Sequence, residues 1–284
     1  MTRCVAAGLA TALLLGTATS ALAEMVLEKI GRTRVLTAGT RGSSIPFAFI
    51  SEKNEWMGFS IDLLEAIRAR LEKKLGKPIK LEKKELDPAT RVQEVANRSV
   101  DVECGSTTYT RGRDDIVDFS INFFFTGSQL LVKKGSRITG VADVAGKRVG
   151  VLNGTTGEKA LRAAQPKAEV VTFQDQGAVF LALEQGRIVA YANDGILLAG
   201  LAAKAKNPKD YEVVGGLFSK EPYSCMVPEN DSKWRDFVNH TMMELIDSGK
   251  FFALYDKWFG EHGVIPYPMS EKIRSYMIMQ SMPD

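Results

Sequence analysis

A chain of 284 residues with 37 Lys and Arg against 34 Asp and Glu carries a formal charge of +3, too mild a balance to hold nucleic acid or an anionic membrane surface. With 45% hydrophobic residues it can bury ample core, as one large or two smaller domains. Two histidines, His240 and His262, without CxxC, HxxH or HExxH spacing, leave no recognisable zinc site; no GxSxG elbow or phosphate loop is spelled out, so no cofactor is expected.

The chain opens with "MTRCVAAGLATALLLGTATSALAE". One arginine precedes an apolar run, and Ala21-Leu22-Ala23 forms a small-x-small site before Glu24. This is the layout of a secretory signal peptide over residues 1–23. The run is too short to span a bilayer comfortably, so an exported, soluble mature protein is expected. "RVLTAG" then reads as a strand. Ser60 reads as the cap of a helix whose Leu64, Ile67, Leu71 and Leu75 recur at spacings of three and four. Gly76 and Pro78 end that helix, and "IKLEKKEL" alternates as a strand does. A short helix near 90–98 and the strand "VDVEC" follow. This rhythm implies a mainly parallel sheet with helices on both faces.

From about Lys133 the rhythm restarts with "KRVGVL", "TTGEKALRAA", "AEVVTF", "GAVFLALEQG", "IVAYAN", "GILLAGLAAKA" and "YEVVG" as alternating strands and helices. The tail holds helices near 233–247, 250–259 and 270–280, whose Trp, Phe and Met read as core. No Pro/Gly/Ser-rich linker separates the two units. Their joints, "FFFTGSQLLVKK" and "KEPYSCMVP", are themselves strand-like, as two crossovers of a hinge would be. The expected organisation is a discontinuous first lobe, 24–125 with 224–284, and a second lobe, 126–223, inserted into it. The hinge strands would lie near 123–132 and 219–228. Cys104 and Cys225 remain after export; in an oxidising compartment a disulfide between them is favoured over two buried thiols.

In α/β sheets, ligands sit outside the carboxyl ends of strands. Here "TAGTRGSSIPF" presents Arg41, Ser43 and Ser44 there, "ELDPATR" supplies Arg91, and "CGSTTYTRGR" supplies Arg113. In the second unit, "NGTTGEK" and "ANDGILL" place threonines and Asp194 at helix starts. A helix N-terminus attracts an anion, and an arginine fork suits a carboxylate. A buried aspartate needs a cationic partner. Carboxylate and ammonium on one small molecule describe an amino acid. Each residue also has a plainer role open to it: Thr155 as a helix cap, Arg113 paired with Asp115, Asp194 as an N-cap.

The stretches "GTRGSSIPF", "VDVECGSTT", "RGRDDIVDFS", "GVLNGTTGE", "LALEQGRIVAY", "LLAGLAAKAKNP" and "YSCM" resemble the periplasmic amino-acid-binding proteins of ABC importers, solute-binding protein family 3, and within them the glutamate/aspartate binders. The resemblance implies the α/β, two-lobed type II fold of periplasmic binding proteins. Each lobe would be a mainly parallel sheet flanked by helices, the two joined by two hinge strands. It also implies a periplasmic monomer without enzymatic activity, which encloses L-glutamate or L-aspartate and delivers it to a permease in the inner membrane. By position, Arg113 would clamp the α-carboxylate. Ser106 and Thr108 would hold the ammonium through a carbonyl and a hydroxyl, with Asp194 as its acid. Thr156, or Thr155, would be the second-lobe threonine, and Arg41 and Arg91 would meet the side-chain carboxylate. Two departures fall in that side-chain subsite: Pro88 replaces a family serine and Gln176 a family histidine. They open glutamine, asparagine or broader polar amino acids as alternative ligands. A dehydratase of small carboxylic acids on the same fold is a further alternative, with Glu103 as the available carboxylate. A receptor-type sensor domain would need an attached membrane segment or signalling module.

Overall fold

The computed structural model describes residues 24–281; the expected leader, 1–23, lies outside them. Helix α1 (Val26–Thr33) leads into β1 (Val35–Thr40), followed by a small antiparallel sheet of β2 (Ser43–Ser44), β3 (Ala48–Ile50) and β4 (Trp56–Met57). Helix α2 (Phe59–Leu75) buries Ile61, Leu64, Ile67 and Leu71 on one side and stops where Gly76 turns left-handed. Its cap corrects the sequence reading. Gly58, at φ 135°, precedes the helix, and Ser60 lies inside the first turn with its hydroxyl donating to Gly105 O at 2.8 Å. Then come β5 (Lys80–Glu85), α3 (Arg91–Ala96), β6 (Val102–Glu103), the single turn α4 (Arg111–Asp114) and β7 (Val117–Phe119).

The chain crosses over through β8 (Phe124–Thr126) into β9 (Ser128–Lys133), β10 (Arg148–Leu152), α5 (Thr156–Ala164), β11 (Glu169–Phe173), α6 (Gln176–Glu184), β12 (Ala190–Asp194), α7 (Gly195–Ala203) and β13 (Tyr211–Val214). It returns through β14 (Glu221–Tyr223) to β15 (Met226–Pro228) and ends in α8 (Ser232–Asp247), α9 (Lys250–Phe259) and α10 (Glu271–Met279). Among the described residues no helix is long and apolar enough to cross a membrane.

Two five-stranded sheets result, ordered β5-β1-β6-β15-β7 and β11-β10-β12-β9-β13. Both follow one plan: three parallel strands, then two neighbours that pair antiparallel. The returning strand β15 belongs to the first sheet, so the polypeptide leaves the first lobe and comes back to it. Between the lobes, β8 and β14 pair antiparallel, Glu221 opposite Thr126 and Tyr223 opposite Phe124. The aromatic tail is core: Trp234, Phe251, Trp258 and Phe259 are buried with α2 and the first sheet. Ile196 and Leu197 of α7 join that same core from the second lobe.

The lobes meet at backbone distance. A Cβ on Gly154 would stand 2.6 Å from Ala89 Cα, and one on Gly200 would strike Ile45 O; only glycine lets the two chains approach so closely. Beside the crossover strand β8, Gln280 exchanges two hydrogen bonds with the Asn122 backbone at 3.0 and 3.1 Å, and Tyr276 packs edge-on against Phe125.

Cys104, just past β6, and Cys225, just before β15, form a disulfide across 121 residues of sequence, and both are fully buried. The bridge fastens the end of β6 to the start of β15, the returning strand. Closing so long a loop restricts the unfolded chain. Replacing both cysteines by serine should therefore lower unfolding free energy by about 2–5 kcal/mol. Urea titration of the two proteins measures this; an unchanged midpoint and slope would contradict it.

Candidate functional site

The carboxyl ends of β1 and β6 face those of β10 and β12 across a cavity of about 20 Å³. Arg41, Ser44, Pro88, Arg91 and Ser106 line it from the first lobe, and Leu152, Thr155, Thr156, Gln176, Asn193, Asp194 and Leu197 from the second. Arg113 and Gly154 stand at a wider mouth of about 570 Å³. A larger groove, about 590 Å³, lies against α2 and α8 among Arg70, Lys73, Lys74 and Lys233, on a different face and with no strand-end motif.

On the first-lobe wall, Arg41 is 5% exposed. Its Nη1 donates to Leu86 O and stands 3.9 Å from Asp87 Oδ1. Arg91, the first residue of α3, is 4% exposed; its Nη1 donates to Ser106 O at 3.4 Å, while its buried Nε finds no partner among the described residues. Thr110 caps α4 by accepting from Arg113 N at 3.3 Å, which fixes the Arg113 backbone beside the strand-end loop. The guanidinium donates from Nη1 to Thr108 O at 2.8 Å and from Nη2 to Gly154 O at 3.3 Å in the other lobe. So Arg113 spends one hydrogen bond on its own lobe, one across the cleft and none on Asp115. Burial, and then the neighbouring Arg91 charge, lower the Arg113 pKa to about 10 and lower that of Arg41 as well.

Across from them, two adjacent threonines divide their work. Thr155 accepts from Glu158 N at 3.4 Å and donates to Leu152 O at 2.8 Å, so its hydroxyl is committed to the helix cap. Thr156 reaches the opposite way, with Oγ1 3.3 Å from Thr108 Oγ1. Gln176 opens α6 and is 4% exposed. Asp194 occupies the N-cap position of α7 but makes no capping bond. Its carboxylate accepts from Tyr223 OH and, at 3.4 Å, from Ser128 Oγ. Burial first, then the nearby Glu221 charge, push Asp194 up to about 7. That is the response of a carboxylate lacking a close cation.

Sequence reading missed three members of this constellation. Asn193 lines the cavity and donates to Tyr191 OH at 2.7 Å. Tyr223 binds Asp194, and Glu221, 2% exposed on β14, accepts hydroxyls from both lobes. The one available signal for Glu221 was an acid inside a strand-like joint; nothing in the alternation tells which way it points. Glu103 takes a different place. Fully buried, it accepts from Thr107 Oγ1 at 2.8 Å, its Oε1 finds no partner among the described residues, and it does not line the cavity. Burial raises its pKa.

Three guanidiniums and one protonatable carboxylate thus converge where two sheets face each other, a set that complements a small molecule bearing both charges. Among the described residues no cluster of His, Cys, Asp and Glu could hold a metal ion.

The chain is 37% identical over 259 residues to the L-glutamate/L-aspartate-binding protein of Pseudomonas aeruginosa, covering 87% of this chain and 86% of that one. It is 32% identical to the ABC transporter glutamine-binding protein of Bacillus subtilis, covering 72% of this chain and 73% of that one. Among solved structures, an ancestral arginine-binding protein bound to glutamine superposes with a TM-score of 0.73 at 32% identity, over 80% of this chain and 98% of that one. Residues 36–261 match the family described as bacterial extracellular solute-binding proteins, family 3. With the two-lobed α/β fold and these matches over most of its length, the chain belongs to the bacterial extracellular solute-binding proteins of family 3.

Proposed function

We propose that this protein is the periplasmic solute-binding component of an ABC amino-acid importer, that it binds L-glutamate or L-aspartate between its lobes, and that it hands the ligand to a permease in the inner membrane. It acts as a monomer and catalyses no reaction. The observation that carries the reading is the burial of Arg41 and Arg91 around one cavity with Asp194 opposite, and the half-buried Arg113 guanidinium beside it, lining a pocket that shares Thr155 and Thr156 with that cavity. Buried cations without full partners are costly, and a carboxylate ligand relieves that cost. Arg113 takes the α-carboxylate together with the first N–H groups of α5, which lack helical acceptors. Asp194, Thr108 and the Ser106 carbonyl take the ammonium. Arg41 and Arg91 take the side-chain carboxylate. β8 and β14 serve as the hinge, and closure completes contacts that neither lobe makes alone.

A second reading, glutamine or asparagine as ligand, draws support from Gln176, whose amide pairs with either an amide or a carboxylate, and from Pro88, which brings no hydroxyl to the same wall. The dehydratase alternative is weaker, because the carboxylate it would use, Glu103, stands behind the wall and not in the cavity.

The two arginine roles separate in mutants. Arg113→Ala should weaken every amino-acid ligand by about 3–5 kcal/mol, since all share the α-carboxylate. Arg91→Ala should weaken glutamate and aspartate about ten- to a hundredfold but glutamine much less, because an amide offers that guanidinium a single acceptor oxygen. Calorimetric titration of both variants with glutamate and glutamine decides it. An Arg113→Ala protein binding within a few-fold of wild type, or an Arg91→Ala protein losing both ligands equally, would sink the respective role.

Asp194 makes binding pH-dependent. Its folded pKa of about 7 lies above the usual carboxylate value, so its stabilising contribution to the free protein is present below about pH 4 and is lost as pH rises through about 7. An ammonium beside it reverses the preference and favours the ionised form. Below pH 7 binding must therefore expel a proton, and affinity should fall by up to about tenfold per pH unit. At pH 6, titrations in two buffers of different ionisation enthalpy should show release of up to one proton. Affinity that is flat from pH 5.5 to 8, with no proton exchange, would contradict the role of Asp194.

A further inference from the structure

The buried carboxylate of Glu221 has no place in the ligand contacts above, yet it sits at the crossing of both lobes and the hinge. Its Oε2 lies 2.5 Å from Thr108 Oγ1 in the first lobe and 2.7 Å from Thr156 Oγ1 in the second. Its Oε1 accepts from Ser219 Oγ at 2.6 Å, which holds the side chain in place on β14. A carboxylate only accepts, and a threonine hydroxyl has one proton to give. Both threonine protons are therefore drawn to Oε2, and the 3.3 Å contact between the two hydroxyl oxygens has no proton left for it. What Thr108 and Thr156 then turn towards the cleft is lone pairs alone.

We propose that Glu221 is a positioning residue for ammonium recognition: by taking both hydroxyl protons it makes the Thr108–Thr156 corner accept hydrogen bonds and never donate them. Such a corner welcomes a primary ammonium and offers no donor to a carboxylate, so of the two groups on the ligand's α-carbon it takes the ammonium and leaves the α-carboxylate to Arg113 and the N–H groups of α5. Because Thr108 and Thr156 come from different lobes, the corner is complete only when the cleft is closed, which couples recognition of the ammonium to closure. Asp194 adds a second anion nearby, since Glu221 acts on its titration through space. This inference rests on the amino-acid reading of the site.

The decisive comparison is glutamate against glutarate, the same dicarboxylate without the ammonium. In Glu221→Leu neither hydroxyl proton keeps its acceptor, and both threonines turn a donor towards the cleft; glutamine is no substitute, because both hydroxyls meet the single oxygen Oε2 and an amide oxygen in its place would leave them as they are. Calorimetry should show glutamate weakened about ten- to a hundredfold, the usual size of a charge-assisted hydrogen bond. Glutarate should change by less than about threefold, so discrimination between the two narrows. Thr156→Val should narrow it too, and the double variant should lose no more than Glu221→Leu alone, because the carboxylate acts through that hydroxyl. If Glu221→Leu does not fold, Thr156→Val carries the test by itself: it must narrow the glutamate–glutarate gap. Equal loss of both ligands, unchanged glutamate affinity, or additive effects in the double variant would overturn the proposal. A wild-type protein that binds no amino acid removes the functional reading and this inference with it. A wild type that binds glutamate, beside a Glu221→Leu protein that loses both ligands alike, overturns this inference alone.

Discussion

Burying three guanidinium groups within one cleft is the constraint around which the rest of this molecule is arranged. A cation removed from water must find carbonyls, carboxylates or a ligand to replace the lost hydration. Here Leu86 O, Ser106 O, Thr108 O and Gly154 O receive guanidinium hydrogen bonds, and Glu103, Asp194 and Glu221 act on Arg113 through space. Every one of these acceptors is a strand-end or loop-end group. The βα units deliver them there because parallel strands all finish at the same edge of a sheet. The compensation is incomplete: Arg91 Nε stays unpartnered, and Asp194 is pushed towards protonation. Those are the two places where a molecule carrying both an anion and a cation gains most.

The same groups join the two lobes. Arg113 spans from Thr108 to Gly154, and Glu221 gathers Thr108 and Thr156. Each of these joins one lobe to the other, and each joining group is also a proposed ligand contact or its direct support. Glycines at 154 and 200 let the backbones close to distances that a side chain would forbid. Beside the crossover strands, the disulfide ties β6 to the returning β15 and Gln280 bonds the Asn122 backbone, so the first lobe is fastened to itself next to β8 and β14.

Much of this was legible from the residues, for physical reasons that can be named. Helix and strand periods differ, so the rhythm from "RVLTAG" to "YEVVG" could be followed, and a parallel sheet has only one edge where a polar turn is functional. Hence Arg41, Arg91, Arg113 and Asp194 could be singled out before any coordinates. Other features depend on distances that sequence does not encode. Ser60 resembled a cap because serine prefers that position, but Gly58 supplies the turn and the hydroxyl serves Gly105 O instead. The eight-residue helix α1, next to the leader, drew no reading of its own. Thr155 and Thr156 are chemically identical neighbours; only the direction of the helix separates a cap from a cleft residue. Glu221 lies in a joint whose inward face is set by tertiary packing. For Cys104 and Cys225, 121 residues apart, only the oxidising compartment expected after export favoured a bridge; their spacing does not encode whether the sulfurs meet.

The central claim is that this cleft is built for an acidic amino acid, carboxylates on the arginines and ammonium on the acceptor corner. Titrating refolded, ligand-free protein with each of the twenty amino acids by calorimetry at pH 7.5 tests it most directly. Glutamate and aspartate should bind tightest, with glutamine and asparagine behind them by at least about tenfold, the value of one charge-assisted contact. A protein that binds a cationic or apolar amino acid most tightly, or none of the twenty, would contradict it.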